Sequence, residues 1–469
     1  MPRTTLALTS FVSGEFSPKM DGRTDFEKYS SGAKTLENFL VHPQGAATRR
    51  VGTQFIAEVK SSAAKTRLIP FEFSTTQTYI LEFGNTYIRF FKDKGQILSG
   101  GSAYEISSPY LTAELFDIKF AQSADVMYIT HPNHEVMKLS RTGHTSWTLA
   151  QVDFTDGPYL ATNSTTTTLT PAQAATGSNI NITASAVTGI NGGAGFQTTD
   201  VGRIISFNSG KAKITARSST TVVACTITTA FTNTNATAAF NLGAFSDTTG
   251  HPSCVSFFEQ RLVFAGTTDE PQTLFFSKAG DYENMTTGTN ADDAMVYTIA
   301  SNQVNAIRYM KAVRTLVVGT TGGEFTVSAD GTDASITPTN ITIKRQSSFG
   351  SANVDAIPAG NAILFLQKAK RKIRELQYNF DSDGYQAPDL TILNETVTDT
   401  GINEMSYQQE PGSNIWCVRD DGVLACLTYQ RSENVIAWSR HIFGGVFGSG
   451  KAVCESVASI SGVLTEDEV

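Results

Sequence analysis

A strongly apolar strand pattern recurs six times in this 469-residue chain and constrains its fold more than any other feature. The six segments are TYILEF (78–83), DVMYIT (125–130), RLVFAG (261–266), TLVVGT (315–320), AILFLQ (362–367) and NIWCVR (414–419). Turn residues such as Gly84-Asn85 follow each segment, and a strand of alternating apolar and polar residues comes next. Successive segments lie about 50 residues apart, except for one gap of about 135. Six such units predict a six-bladed β-propeller-like core, with a β-sandwich carrying long loops as the alternative.

The long gap indicates an inserted small β-barrel or sandwich domain, since GRIISF, KAKITA and VVACTITTAF inside it are strand-like. Its Thr-rich beginning is also compatible with a low-complexity linker. We therefore predict an extended N-terminal arm at 1–60, blades 1 and 2 at 61–158, and the inserted domain at 159–248. Blades 3 to 6 and the start of a further strand follow at 249–469, where the acidic end TEDEV suggests an unfinished blade.

The arm contains one possible helix. Between residues 25 and 40, Phe26, Tyr29, Leu36 and Phe39 are spaced so that they can share one face of a short helix. The surrounding residues look extended, as expected for an arm that packs on something larger.

Composition supports a mainly β chain and excludes several function classes. Thr, Ser, Gly, Asn and Phe are abundant, 40% of the residues are hydrophobic and 17% are charged. The net charge of −8 argues against a general nucleic-acid-binding surface, which needs clustered Lys and Arg. No apolar run is long enough to span a membrane or to serve as an export signal. Five scattered cysteines are expected to be small buried hydrophobes rather than a disulfide or metal framework.

Motifs for chemistry are weak throughout. His131-Pro-Asn-His134 has an H-x-x-H spacing, but no local Cys or carboxylate completes it, so a turn is expected. The stretch 381–384 resembles a calcium loop without its final Glu, and the pairs at 292–293 and 420–421 are expected in loops and turns. No P-loop, nucleophile elbow or Rossmann glycine pattern occurs. We predict no enzymatic activity, no catalytic residue, no cofactor and no metal.

Two ordered sets of residues resemble a known family. The first set is Gly14, Ser17, Pro18, Arg23, Asp25, Asn38, Arg49, Arg50 and Gly52. The second is His251 and Pro252, followed by FFEQRLVFAGTTDEPQTLFFSKAGDYENM (257–285). In order and spacing they resemble the tail tubular protein B, or tail nozzle, family of short-tailed bacteriophages. The similarity covers most of the chain outside the insert.

That resemblance implies a structural subunit of a six-fold ring at the distal end of a phage tail, which continues and closes the DNA ejection channel. It implies a virion protein assembled in the host cytoplasm. The implied partners are other copies of this chain, the adaptor on the portal side, tail fibres, and genomic DNA that passes without specific binding. Net negative charge fits this last expectation, because an acidic lining repels phosphate.

Five basic residues are candidate contacts with a neighbouring subunit or the adaptor. Arg49 and Arg50 precede a strand and can form bidentate pairs with an acidic surface, or can simply be solvated. Lys370, Arg371 and Lys372 belong to a predicted blade turn, where a solvated loop is the alternative.

Two other functions remain open. A receptor- or glycan-binding β-propeller tail protein would usually display exposed Trp, yet Trp147, Trp416 and Trp438 stand at positions suited to blade packing. A secreted propeller hydrolase needs an acid–base pair that we do not find. The assembly state discriminates the first two functions, since the nozzle requires a closed ring.

Overall fold

Antiparallel β-structure dominates the computed structural model, which describes residues 8–300, 303–331, 334–462 and 466–469. The predicted mainly β fold class is confirmed. Helical structure in these ranges is limited to short 3-10 turns at Pro18–Met20, Glu27–Ser31, Leu115–Asp117, Asn191–Gly193, Thr198–Asp200, Glu395–Val397 and Arg431–Glu433. No helix in the described part of the chain is long and apolar enough to cross a membrane.

The N-terminal segment is extended. Strands β1 (Gly14–Glu15) and β2 (Gly32–Ala33) pair in parallel, and β3 (Phe39–Val41) pairs with β4 (Ala47–Arg49) in antiparallel fashion. The helix predicted over residues 25–40 is wrong beyond the turn Glu27–Ser31. The reason is that the backbone of Asn38 bonds the edge of a distant strand, with its N–H 2.7 Å from the carbonyl of Arg440.

Two sheets come next. Sheet 1 contains β5 (Arg67–Ser74), β6 (Gln77–Gly84), β7 (Tyr87–Lys92), the short β8 (Gly95–Gln96) and β11 (Glu105–Ser107); β9 (Leu98–Ser99) and β10 (Ser102–Ala103) form a small hairpin before β11. Sheet 2 contains β12 (Lys119–Ser123), β13 (Val126–His131), β14 (His134–Gly143) and β15 (Ser146–Gln151).

A separate six-stranded sheet occupies the stretch predicted as an insert. Its strands are β16 (Leu169–Pro171), β17 (Gly177–Ala184), β18 (Ile204–Phe207), β19 (Gly210–Arg217), β20 (Val222–Thr229) and β21 (Phe240–Leu242), in the spatial order 16-17-20-19-18-21. It has its own apolar core, which includes Phe196, Phe207 and Phe231. A salt bridge of 2.7 Å from Lys211 to Asp156 ties it to the segment that follows sheet 2.

Four further sheets complete the chain, each in sequence order. Sheet 3 has β22 (Cys254–Phe258), β23 (Arg261–Ala265), β24 (Thr273–Phe276) and β25 (Met295–Thr298). Sheet 4 has β26 (Ile307–Ala312), β27 (Leu316–Thr320), β28 (Gly323–Ser328) and β29 (Thr342–Ser347). Sheet 5 has β30 (Ile357–Ala359), β31 (Ala362–Leu366), β32 (Ile373–Asn379) and β33 (Gly384–Gln386). Sheet 6 has β34 (Ile402–Gln408), β35 (Asn414–Arg419), β36 (Leu424–Gln430) and β37 (Val435–His441). Two small hairpins follow, β38 (Val446–Phe447) with β39 (Gly450–Lys451), and β40 (Ile460–Ser461) with β41 (Asp467–Glu468).

The apolar core lies between successive sheets. One cluster of buried side chains joins each neighbouring pair from sheets 1 and 2 through sheets 5 and 6. The second strands of sheets 3, 4 and 5 have one of these clusters on each face, so that β23, β27 and β31 are buried along their whole length. Burial on both faces makes such strands continuously apolar, which is why they recur so visibly in the sequence.

Sheets 6 and 1 meet through a charged contact rather than through a large apolar cluster. Arg67 of β5 and Glu404 of β34 form a buried ion pair at 3.0 Å. The C-terminal segment supports it, because Ser456 Oγ accepts from the backbone N–H of Leu68 at 3.0 Å. The amide of Val457 also donates to Glu404 at 2.9 Å. Residues near the C-terminus therefore lie between the last sheet and the first.

Candidate assembly surface

The N-terminal segment docks along the outer strand of sheet 6, and Gly14 and Asn38 fix its path. Gly14 has φ +69°, and a Cβ there would lie 2.2 Å from the backbone nitrogen of Trp438. Only glycine permits this approach. Asn38, with φ +60°, donates through its N–H to Arg440 and accepts from the amide of Ile442 at 2.9 Å. Residues 8–50 thus form a docked arm on sheet 6.

Arg50 lies inward from the end of the arm. Its guanidinium is 5.1 Å from the ring centroid of Phe443, and one Nη donates to the carbonyl of Val51 at 3.1 Å. Burial, with a smaller contribution from the charge of Arg50, lowers the pKa of His441 to about 3. Arg50 is therefore partly engaged within its own chain, which leaves less of it available for a partner.

Arg49 differs from its neighbour. It ends β4 and is exposed, and no hydrogen bond or ion pair of its side chain occurs within the described part of the chain. Of the predicted Arg-Arg pair, only Arg49 is therefore placed as a free cation on the surface.

Residues 51–59 follow the arm without regular secondary structure, and their large apolar side chains lie in solvent. Val51 is 79% exposed and Phe55 is 77% exposed; Ile56 and Val59 are exposed at 39% and 37%. No backbone hydrogen bond of residues 52–59 is present in the described ranges. The segment ends where Lys60 pairs with Glu105 of sheet 1 at 2.5 Å. A row of unpaired backbone groups with apolar side chains is a template for pairing with another chain.

The basic loop 368–372 is largely used within the chain. Lys370 Nζ donates to the side chain of Asn403 at 2.8 Å, and Lys372 pairs with Asp389 at 2.9 Å. Arg371 is exposed, and its guanidinium has no partner among the residues that the structure describes. Sequence reasoning did not foresee the two internal partners, because Asn403 lies in β34 of the next sheet and Asp389 in the segment that follows β33.

A cavity of about 290 Å³ lies among the first strands of five of the six sheets. Its charged lining consists of Arg67, Lys119, Lys311, Asp355 and Glu404. Asp355 is shared by Lys311 at 3.3 Å and Lys119 at 3.7 Å. Burial lowers the pKa of Lys119, and the nearby Asp355 only partly offsets this. The lining combines these charged groups with apolar side chains such as Phe116 and Phe120.

The acidic pairs lie in loops and turns. Asp292 and Asp293 both face Lys278, at 3.4 Å and 3.2 Å. Asp421 lies in the turn between β35 and β36 and pairs with Arg419 at 2.7 Å. Residues 381–383 form the turn between β32 and β33.

The His131–His134 pair lies in the hairpin of β13 and β14, as the turn interpretation expected. The structure adds a residue that sequence reasoning missed. Glu114 is brought against His134 at 2.8 Å from a connection outside the sheet, although no local spacing signals it.

Comparisons with known proteins add fold-level likenesses only. No family model matches the chain, and no curated protein matches it. Solved structures that resemble it include "YCF48 bound to D1 peptide", at 8% identity and a TM-score of 0.35, covering 81% of each chain. A second is the β-propeller domain of Cps50 (Swd1) from Myceliophteria thermophila, at 8% identity and a TM-score of 0.38, covering 87% of this chain and 96% of that one. A third is apo AztD from Citrobacter koseri, at 8% identity and a TM-score of 0.33, covering 83% and 84%. Likenesses this weak carry no argument about function.

Proposed function

We propose that this chain is a structural subunit of a phage tail nozzle. In this proposal copies of the chain form a homo-hexameric ring at the distal end of the tail of a short-tailed phage, where the ring continues and closes the DNA ejection channel. The subunit is non-enzymatic. Its partners are its own copies, the adaptor on the portal side, and tail fibres.

The observation that carries the proposal is the exposed segment 51–59. Its four apolar side chains and its unpaired backbone are costly in water unless a partner covers them. The arm before it is held on sheet 6 and Lys60 after it is held on sheet 1. A segment fixed at both ends is preorganised for a neighbour, because little conformational entropy remains to be lost on association.

The ordered landmarks of the nozzle resemblance support the same proposal. Gly14 and Asn38 set the path of the arm, and Arg49 lies free at its end. In the second landmark set, Arg261 donates to the backbone carbonyls of Ser277 and Asp293, both at 2.7 Å, and so holds the loops of sheet 3. Both landmark sets therefore coincide with residues that define the arm and the sheets.

The architecture belongs to the proposal as well. We take sheets 1 to 6 as the blades of a six-bladed propeller that closes between sheets 6 and 1. The inserted sheet then projects between blades 2 and 3, and the arm wraps blade 6. The net charge of −8 supports a channel through which DNA slides without specific binding.

The test is the assembly state of the purified full-length chain. Mass photometry is expected to give a species near 300 kDa, six times the 50.4 kDa chain, and negative-stain images are expected to show a closed ring with an axial channel. A monomer, or a trimer with a glycan-binding cleft, would overturn the nozzle proposal.

A variant pair tests the segment itself. Phe55→Asp with Ile56→Asp places two charges on segment 51–59 and is expected to abolish the ring. The matched control is Phe380→Asp with Ile392→Asp, two exposed apolar residues near sheet 5 at 87% and 69% exposure. The control is expected to keep the ring. Equal loss of assembly in both variants would contradict a specific role for the segment.

The second candidate function is a receptor- or glycan-binding propeller, which the charged cavity favours. In that case a monomeric or trimeric chain would bind a saccharide or another small polar ligand, and Lys119→Met would weaken binding. A ring that shows no such binding favours the nozzle.

A further inference from the structure

Three side chains with metal-binding atoms converge at one end of sheet 2. Glu114 precedes the turn Leu115–Asp117, His131 ends β13 and His134 begins β14. His131 and His134 are direct cross-strand partners in the hairpin. One donor atom from each of the three residues lies within 4.8 Å of the others.

The three donors are held in place by neighbouring groups. The Glu114 carboxylate accepts from the amide of Leu111 at 2.9 Å, and its oxygen lies 2.8 Å from His134 Nε2. The ring of Tyr110 packs edge-on against His134, with centroids 5.2 Å apart, and lies 6.0 Å from His131. Glu114 and His134 are therefore already held close together by the protein before an ion binds.

A second, independent observation is that two buried polar atoms of this cluster lack partners. His131 is 1% exposed, and its Nε2 has no hydrogen bond within the described part of the chain; the hydroxyl of the fully buried Tyr110 also has none. Such atoms are rare in folded proteins and often mark the position of an ion or an ordered water.

We propose that Glu114, His131 and His134 bind a divalent transition-metal ion, with zinc the preferred one. Two imidazoles and one carboxylate are a zinc donor set that leaves a fourth position for water. The side chains of His134 and Glu114 are 22% and 19% exposed, which provides a path from solvent.

Metal binding changes which nitrogen carries the proton in the imidazole rings of His131 and His134. In the metal-free protein, the amide of Asn133 donates to His131 Nδ1 at 3.2 Å, so Nε2 carries the ring proton. Coordination through Nε2 requires that proton to move to Nδ1; because Nδ1 then becomes a donor that faces the N–H of Asn133, this contact, already at the long end of the hydrogen-bond range, must open. At His134 the metal takes the position of the proton between Nε2 and Glu114; in a neutral ring that proton moves to Nδ1, so none is released.

The site borders the return from the inserted sheet. The carbonyl of Pro132, between the two histidines, accepts from the backbone N–H of His251 at 3.1 Å. His251 lies on the segment that leads from the inserted sheet into sheet 3. A bound ion would therefore stiffen the hairpin against which this connection rests.

The test uses the full-length chain, stripped with a chelator and then exposed to Zn²⁺ or Co²⁺. We expect about one tightly held zinc per chain by elemental analysis, a rise in melting temperature on zinc addition, and a tetrahedral Co²⁺ absorption band in the visible. His134→Gln and Glu114→Gln are expected to lose all three responses. His42→Gln, which changes an exposed histidine of the arm, is the matched control and keeps them.

Each outcome decides the proposal. Wild type without stoichiometric zinc and without the cobalt band overturns it. Binding that is equal in wild type, His134→Gln and His42→Gln also overturns it, since it indicates non-specific surface binding. If a variant melts earlier without metal, the cobalt band still separates lost coordination from lost packing. A ring that fails to assemble would contradict the nozzle and leave this measurement unaffected.

Discussion

Glu404 joins the last sheet to the first, and its replacement tests how strongly this contact between sheets 6 and 1 stabilises the chain. One carboxylate oxygen pairs with Arg67 Nε at 3.0 Å, and the other accepts from Ser456 Oγ and from the amide of Val457. Both side chains of the ion pair are 8% exposed. Glu404→Ala removes the carboxylate and leaves the guanidinium of Arg67 buried beside an empty space.

The expected loss of unfolding free energy depends on the hydrogen bonds that Arg67 keeps after the substitution. Removing one partner of a buried ion pair costs about 3–5 kcal/mol, because the remaining charge is uncompensated. Arg67 still donates to the carbonyls of Leu115 and Ile118, at 2.8 Å and 2.7 Å. These two bonds place the expected loss at the low end, about 3 kcal/mol of unfolding free energy. Glu404→Gln keeps an acceptor of similar size, so its loss is expected to be smaller, about 1–2 kcal/mol.

Urea unfolding followed by tryptophan fluorescence measures this effect. Trp147 lies in sheet 2 and Trp416 and Trp438 in sheet 6, so unfolding of the inserted sheet does not contribute a tryptophan signal. Glu433→Ala, at an exposed position after β36, is the control and is expected within about 0.5 kcal/mol of wild type. If Glu404→Ala lowers the unfolding free energy by less than about 1 kcal/mol, the argument that this ion pair holds sheets 6 and 1 together is refuted.

Three further variants test the arm and two buried ionisable groups. Gly14→Ala forces a Cβ to within 2.2 Å of Trp438 at a positive φ, so we expect the arm to detach and residues 8–50 to lose hydrogen-exchange protection; unchanged protection would contradict this docking. Because burial lowers the pKa of His441 to about 3, the unfolded chain binds a proton first as pH falls below about 6.5. Between pH 7 and pH 5 the unfolding free energy of wild type, measured by urea titration, should therefore fall by about 2 kcal/mol more than that of His441→Asn. Equal falls would contradict the lowered pKa of His441. Lys119→Met removes an ammonium group that burial destabilises, while Lys311 still pairs with Asp355. The unfolding free energy should therefore fall by less than about 1 kcal/mol, or rise. A fall above about 3 kcal/mol would show that the charge of Lys119 stabilises the folded chain.

The recurring strands could be predicted because their signal is local. NIWCVR (414–419) coincides with β35, and AILFLQ (362–367) contains β31. Each is the second strand of its sheet and is covered on both faces, β31 by neighbouring sheets and β35 by sheet 5 on one face and by the arm and the C-terminal segment on the other. A strand in that environment needs apolar residues at every position, and the sequence displays this without any knowledge of partners.

The arm and the histidine cluster could not be predicted because their determinants are distant in sequence. The spacing of Phe26, Tyr29, Leu36 and Phe39 fits a helix, but hydrogen bonds of Leu36 and Asn38 with Arg440 hold this stretch against β37 instead. Periodicity records which side chains share a face, but not which backbone groups find partners elsewhere. The same limit hid Glu114, whose approach to His134 depends on the chain path between sheets 1 and 2.

Some residues of the nozzle resemblance are needed to dock the arm on sheet 6, whereas others are exposed on the surface. Only the exposed ones bear on assembly. Gly14 and Asn38 are required by the docking of the arm, whatever the protein does, because a side chain at 14 or an ordinary residue at 38 would disturb contacts with sheet 6. The Arg49 side chain and the large apolar side chains of segment 51–59 are exposed, and neither is required for docking of the arm among the described residues. Exposure of these apolar side chains to water is unfavourable, and this is offset only if another chain covers them. The assembly proposal therefore depends on these exposed residues, and charge reversal at Arg49 should weaken the ring while leaving the melting temperature of the separated subunit unchanged, which native mass spectrometry and calorimetry can measure independently.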